Sequence, residues 1–378
     1  MPTNHNSINE KRLTALFCRL VSIDSESFHE KEMAEAVTAA LKELGITAVM
    51  DDSAAETGSN AGNLFAKIPG TGSQKDKEPL LFMAHMDTVA PGKGKKAIIH
   101  EDGTITSDGT TVLGADDLTA VSSILEALTS IQENGLPHRP LELLFTTAEE
   151  AYTKGATAFD FSKSQAKEAF AFDCSDKMGS YSQTEPTLLS FTIEVHGRAA
   201  HAGFEPEKGT NALLAAARAA AQLPLGRADD HTTLNIGRVE AGTATNIVPE
   251  RAVLSGEIRS LVHEDALALY QRVVDIFKKE AEKIGASVQE KKIVHLTAYR
   301  IEKNDPALLR YQKVLHDLGV SGSSRVNFGG SDINVVRRLG KDGICIANPM
   351  YGAHTTHETT NVKELALMAE IVRGLMLS

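Results

Sequence analysis

Three short runs, "LLFMA" at 80–84, "LELLFT" at 141–146 and "AFAF" at 169–172, are apolar almost from end to end. A strand with one face in water alternates polar and apolar residues, whereas a strand covered on both faces reads as a continuous apolar run. Residues 118–132, between the first two runs, carry apolar positions at helical spacing. A strand, helix, strand order of this kind predicts a largely parallel α/β sheet. Amphipathic helices are expected at 9–22 and 30–44, where Leu13, Leu16, Phe17, Leu20 and Val21 share one face of the first. After about residue 300 the style returns, with a helical "DPALLRYQKVLHDLG", the run "ICIA" at 344–347 and a last helix at 362–377.

The middle of the chain differs. From about 186 the pattern reads strand (189–195), helix (209–223), strand "TTLNIG", strand "AVLSGEI", helix (264–285), strand "SVQEKKIV". That βαββαβ order is the split ferredoxin-like arrangement. We therefore expect a domain at 185–299 inserted into one built from 1–184 and 300–378, with crossing points near Ser182 to Thr187 and Ala298 to Asn304 that act as hinges. At 378 residues the chain exceeds the roughly 250–300 residues one core sustains, which also favours two domains.

Composition narrows the functions. With 42% hydrophobic and 24% charged residues and no run near the roughly 18 apolar residues of a membrane span, no membrane role is expected. The net charge of −11 lacks the clustered Lys and Arg that neutralise phosphates, so no nucleic-acid partner is expected, and "GKGKK" at 92–96 reads as a solvated turn. The opening "MPTNHNSINEKRL" is polar without an apolar core, and Cys18, Cys174 and Cys345 are few, odd and dispersed, which together point to a cytoplasmic setting.

In parallel sheets ligands gather beyond the carboxyl ends of the strands. Here those ends hold His85 and Asp87 after "LLFMA", Glu149 and Glu150 after "LELLFTTA", and Asp173 after "AFAF". Asp116 and Asp117 stand where a turn enters the helix in "GADDLTAV", and His354 lies in "YGAHTTHETT". Singly, each has an ordinary reading: a helix cap for Asp116 and Asp117, solvated charge for Glu149 and Glu150, a turn former for Asp173. Jointly, strand after strand ending in a potential ligand points to a cation site.

The set "MAHMDTVAPG", "LGADDLTAV", "FTTAEEAYTKGA", "FAFDCSD", "GRAAHAGFEPEKGTNAL", "ATNIVPERAVLSGEIRS", "NFGGSDINV" and "GAHTTHETT" resembles the M20 family of metallopeptidases, and within it the peptidase T-like, tripeptidase branch. The resemblance implies a mostly parallel-sheet, zinc-exopeptidase-like catalytic domain with an inserted ferredoxin-like lid or dimerisation domain. It also implies two divalent ions, zinc or else cobalt or manganese. His85 and Asp173 would hold one, Glu150 and His354 the other, and Asp116 would bridge them. Asp87 would accept a hydrogen bond from the His85 imidazole, Glu149 would be the general base, and the bond between Asp116 and Asp117 would be cis. The chemistry is coherent: a water between two cations loses its proton readily, and a carboxylate beside it passes that proton to the leaving amine. With two imidazoles, three carboxylates and no thiolate, the donor set suits a divalent ion with an open position. The chain departs from the pattern at Leu118 and Thr119, where relatives carry Lys and a small residue, and at Phe328, where peptidase T has arginine before "GG".

In the middle domain the resemblance gives His201 to the oxyanion, Asn246 and Arg259 to the substrate, and Gly329, Gly330 and Ser331 to a backbone that approaches it closely. A salt bridge for Arg259 and a tight turn for the glycines are the structural alternatives. The expected function is hydrolysis of short peptides by an aminotripeptidase-like exopeptidase, with a homodimer through the inserted domain. An N-acyl amino acid amidohydrolase or carboxypeptidase is the alternative within the family. Outside it stand a catalytically silent metal- and peptide-binding protein and, since few Arg or Lys accompany the acids, a less favoured two-metal phosphoesterase.

Overall fold

The apolar runs become neighbours in one sheet. The computed structural model describes residues 8–378. Among them, nine strands make the larger sheet, in the order Ala48–Met50, Leu64–Ile68, Leu141–Thr146, Leu80–His85, Glu168–Ser175, Asp342–Asn348, Ser180–Glu185 and Tyr299–Arg300, with Ser323–Val326 paired to Ser180–Glu185. The central pairs are parallel: Leu80–His85 runs with Leu141–Thr146 and Glu168–Ser175, and Asp342–Asn348 with Glu168–Ser175. The outer pairs, Ala48–Met50 with Leu64–Ile68 and Leu64–Ile68 with Leu141–Thr146, are antiparallel. Every residue of Leu80–His85 and Leu141–Thr146 is buried, which is why neither run has a polar phase.

Helix Ala115–Glu133 is buried around nearly its whole circumference, packed against Leu80–His85 and against helices Glu10–Val21 and Val362–Leu377. Its first turn is not helical. Gly114 is left-handed (φ 81°), and Asp116 (φ −82°, ψ 102°) and Asp117 (φ −119°, ψ 27°) depart from helical dihedrals, so regular helix starts at Leu118, where the apolar spacing begins. The Asp116–Asp117 peptide is cis, as is Ala90–Pro91.

The chain divides into two units, one of residues 1–183, 300–327 and 331–378, the other of 184–299 and 328–330. The return of Phe328–Gly330 to the second unit has no counterpart in the expected boundaries. That unit carries the ferredoxin-like sheet, all antiparallel, in the order Gly226–Asp229, Thr232–Ala241, Arg251–Ser260, Thr187–His196, Ser287–Leu296. Helices Ala212–Ala220 and His263–Glu282 cover it over a core of Leu189, Ile193, Leu254, Val273 and Phe277. The short strand Gly226–Asp229 extends the four-stranded pattern, and neither it, the strands Leu64–Ile68 and Ser180–Glu185, nor helix Asp332–Arg338 is marked by a clear apolar period.

Candidate metal centre

His85 closes its strand, and its ring is fixed from both sides. Nε2 lies 3.0 Å from Asp116 Oδ1, and Nδ1 lies 2.9 Å from the main-chain carbonyl of Asp87. The Asp87 carboxylate was expected to be the imidazole's acceptor; it stands farther off, at 3.5 Å, so the carbonyl of the same residue is the nearer partner. The carboxylate instead holds main chain. Its Oδ1 accepts from the Glu149 N–H (2.9 Å), and its Oδ2 from the Glu150 N–H (3.2 Å) and the Ser27 hydroxyl (2.7 Å). Glu30 does the same one residue earlier, accepting from the N–H of Ala148 at 2.9 Å, a residue held at φ 50°. Three successive amides of the turn that carries the two glutamates thus end on two buried carboxylates, which is what aims that turn.

Asp116 sits between two imidazoles. Oδ1 faces His85 Nε2 and Oδ2 faces His354 Nε2 at 3.1 Å, while His354 Nε2 also lies 3.0 Å from Glu150 Oε1. Glu358 steadies this carboxylate's backbone by accepting from the N–H of Gly114 (2.7 Å) and of Asp116 (2.9 Å). One ligand atom each of His85, Asp116 and Glu150 lie within 4.8 Å of one another, and so do those of His85, Glu149 and Asp173.

The electrostatics are those of an acid-rich pocket. Burial opposes the charge on Asp116, yet hydrogen bonds from His354 and His85 hold its carboxyl well below the usual range. His85 is likewise raised well above an ordinary imidazole: burial works against it, and Asp116 and Asp87 outweigh burial. His354 is pushed up to about 10 by Asp116 and Glu150. Burial, then neighbouring carboxylates, push Glu149, Glu150 and Asp173 upward. Carboxylates outnumber imidazoles in this space, so it must bind protons or cations to be stable. Hard oxygen donors with two imidazoles and no thiolate fit divalent ions of the zinc, cobalt or manganese kind.

Most of the remaining candidates have local partners. Ser331 is the N-cap of helix Asp332–Arg338, accepting from the N–H of Ile333. His201, Asn246, Arg259, Gly329 and Gly330 belong to the second unit. There His201 and Asn246 are neighbours, since the N–H of Ala202 donates to the Asn246 carbonyl and residue 201 bridges to Ile247. His201 Nδ1 accepts from the N–H groups of Gly203 (3.1 Å) and Phe204 (3.2 Å), which leaves the ring proton on Nε2. Arg259 donates to Glu257 (2.9 Å) and to the Phe328 carbonyl (2.9 Å), and the Phe328 ring lies under the Arg227 guanidinium. The structural reading of Arg259 as an ion pair is therefore realised.

Glu30, Glu358 and Asp332 also serve this region without a strand-end position to mark them. Asp332, buried, accepts from the Thr146 hydroxyl at 2.7 Å, and burial pushes its carboxyl up to about 6. Glu358 and Asp332 lie inside motifs that were singled out, so position was the available signal. Glu30 had none, because an acid before a helix is ordinary.

Comparison with known proteins fits this geometry. A profile of the M20 peptidase dimerisation domain matches residues 184–285. The chain is 36% identical to the crystallised aminopeptidase PepT of Bacillus cereus, covering 98% of both chains with a TM-score of 0.89. The chain belongs to the M20 peptidase family, in its peptidase T-like branch. A tripeptidase from Staphylococcus aureus superposes on this M20 peptidase with a TM-score of 0.92 at 31% identity over 98% of each chain. The uncharacterised Bacillus subtilis protein YqjE is 36% identical over 98% of each sequence. A profile of peptidase family M28 also matches, over residues 63–233, the span that holds His85, Asp116, Glu149, Glu150 and Asp173. The protein is a metallopeptidase, a metal-dependent hydrolase of peptides.

Proposed function

We propose that this M20 peptidase is an aminotripeptidase-like exopeptidase that holds two divalent ions, zinc by preference, and uses Glu149 as general base on short peptides. The observation that carries the reading is the Asp116 carboxylate, whose two oxygens each face a different imidazole, His85 at 3.0 Å and His354 at 3.1 Å. His85 and Asp173 would hold one ion, His354 and Glu150 the other, with Asp116 shared. When bound, such ions supply Lewis acidity, lowering the pKa of water and polarising the scissile carbonyl. The protein's own part is orientation and proton transfer. Asp87 and Glu30 fix the turn on which Glu149 stands, and Glu149 takes a proton from the attacking water and returns it to the leaving amine.

His201, with its ring proton on Nε2, is the donor an oxyanion requires, and Asn246 beside it is a substrate contact. Arg259 already binds Glu257, so a substrate carboxylate there would compete with that pair. Gly329, Gly330 and Ser331 would let main chain come close to substrate. The dimerisation-domain match supports a homodimer through residues 185–299, with the rest of the chain as catalytic domain. Cys18, Cys174 and Cys345 are all thiols, and no described helix is long and apolar enough to cross a membrane.

The B. cereus aminopeptidase and the S. aureus tripeptidase support a tripeptide substrate with a free amino end. The test is a panel of tripeptides, dipeptides and N-acyl amino acids with added Zn²⁺, Co²⁺ or Mn²⁺. Tripeptides with a free amino end should be cleaved fastest. Preference for N-acyl amino acids would move the reading to an amidohydrolase, and no hydrolysis with any metal would leave a binding protein.

A further inference from the structure

Thr119 lies in the first regular turn of helix Ala115–Glu133, and its buried hydroxyl is put to use. Its one proton is shared between the Ala115 carbonyl (2.5 Å) and Asn348 Oδ1 (2.6 Å). With Oδ1 so engaged, the Asn348 amide is turned to donate through Nδ2 to Asp117 Oδ1 at 2.8 Å. The other oxygen of Asp117 accepts from the main-chain N–H of His85 at 3.2 Å. Thr119, Asn348, Asp117 and His85 are all buried, with at most 2% of any of them exposed. Water cannot take over these bonds, so breaking one leaves a buried polar group unsatisfied.

The chain of bonds has a structural consequence. His85 ends the strand Leu80–His85, and Asn348 ends the strand Asp342–Asn348, from which the chain runs on to His354. These strands are not neighbours; Glu168–Ser175, bearing Asp173, lies between them. Asp117 and Asn348 therefore tie together the two strand ends that flank Asp173, and Asp117 is joined by one peptide bond to Asp116, which faces both histidines.

We infer that Thr119 and Asn348 are positioning residues, a buried clamp that sets the separation of the His85 and His354 halves of the metal centre by holding the Asp117 carboxylate between the two strand ends. The inference rests on the two-metal reading above for its consequence, though not for its geometry. Partners that orient metal ligands in this way affect metal affinity or activity by about 10- to 100-fold.

The test compares wild type with Thr119→Ala, Thr119→Ser and Asn348→Ala. Zn²⁺ affinity is measured by chelator competition, the visible spectrum is recorded after Co²⁺ loading, and kcat and KM are determined on a tripeptide. Thr119→Ala and Asn348→Ala should each weaken Zn²⁺ binding by about 10- to 100-fold, shift the Co²⁺ bands and lower kcat with KM little changed. Thr119→Ser, which keeps the hydroxyl, should restore all three. Wild-type Zn²⁺ affinity and Co²⁺ spectrum in both alanine variants would overturn the clamp, even if both melt at lower temperature. Hydrogen exchange of the His85 amide in metal-free protein is the arm that needs no metal: it should be protected in wild type and fast in Asn348→Ala. A wild type that takes up no metal sinks the two-metal reading alone, and the His85 amide then decides the clamp, unchanged protection overturning it.

Discussion

At the scale of the residue, Glu149 and Lys95 are buried ionisable groups with different consequences. Glu149→Gln keeps the shape of the side chain but removes the carboxylate proposed as the base. It should lower kcat by about 10² to 10⁴ while two equivalents of metal stay bound, and a mutant as active as wild type would remove Glu149 from that role. Lys95 is buried, its ammonium donating to the carbonyls of Ile23 (2.9 Å) and Gly92 (3.2 Å). Burial lowers it from 10.5 to about 8, against the nearby charges of Asp24, Glu26 and Glu358. A base depressed on folding contributes stability above its unfolded pKa and loses it as pH falls through the folded one. Between pH about 8 and 10.5 the unfolded chain thus binds a proton that the folded chain has shed. Wild-type stability relative to Lys95→Met should rise across that window and be flat below it, measured by denaturant titration at a series of pH values. A flat difference throughout would contradict the shift.

At the scale of the element, the segment that follows the two glutamates is set by close approach. Gly155, in the short helix Lys154–Ala158, donates to the Thr147 carbonyl at 3.0 Å and accepts from Asn63 Nδ2 at 3.0 Å. A Cβ added there would fall 2.2 Å from that carbonyl oxygen and 2.5 Å from Asn63 Oδ1. Gly155→Ala should therefore cost about 1–3 kcal/mol of stability and, because Thr147 leads directly into Ala148 and Glu149, also reduce kcat. A variant with unchanged melting temperature and turnover would show that the turn has slack. The larger sheet shows how local pattern misleads. Ser180–Glu185, "SYSQTE", is polar in composition yet mostly buried, since it lies between Asp342–Asn348 and Tyr299–Arg300 and also pairs with Ser323–Val326. The Ser180 hydroxyl pairs with that of Ser323 at 2.7 Å and the Ser182 hydroxyl accepts from Asn327 Nδ2 at 3.3 Å, partners that periodicity does not reveal.

At the scale of the whole molecule, the core of the second unit is its own. Leu189, Phe191, Ile193, Leu254, Ile258, Tyr270, Val273 and Phe277 pack with one another within residues 184–299. A protein of Thr184 to Tyr299 alone should fold cooperatively, with dispersed amide NMR signals. A collapsed spectrum without dispersion would show that its stability depends on the rest of the chain. Divalent metal should act on the other unit. By mass action, removing a ligand that binds only the folded state lowers stability by about 2.7 kcal/mol when it had been at 100 times its dissociation constant. EDTA should therefore lower the melting temperature of full-length protein and leave that of the Thr184–Tyr299 fragment unchanged. An equal effect on both would put metal in the wrong unit.

What the sequence determined by itself was whatever depends on neighbours along the chain. Burial on both faces removes polar residues from a strand, so Leu80–His85, Leu141–Thr146 and the strand containing Asp173 were legible, and so were the acids and histidine at their ends. The helical and strand periods of residues 187–296 gave the ferredoxin-like order for the same reason. Only the tertiary structure decided which carboxylate serves which partner. Asp87 turned its side chain to the Glu149 and Glu150 amides, Glu30 reached Ala148 from 118 residues away, and Asn348 reached Asp117 from 231. A hydrogen bond is made at about 3 Å and carries no trace of the loop that closes it, so an isolated glutamate or asparagine in the sequence looks the same whether it is solvated or holds a metal centre in place.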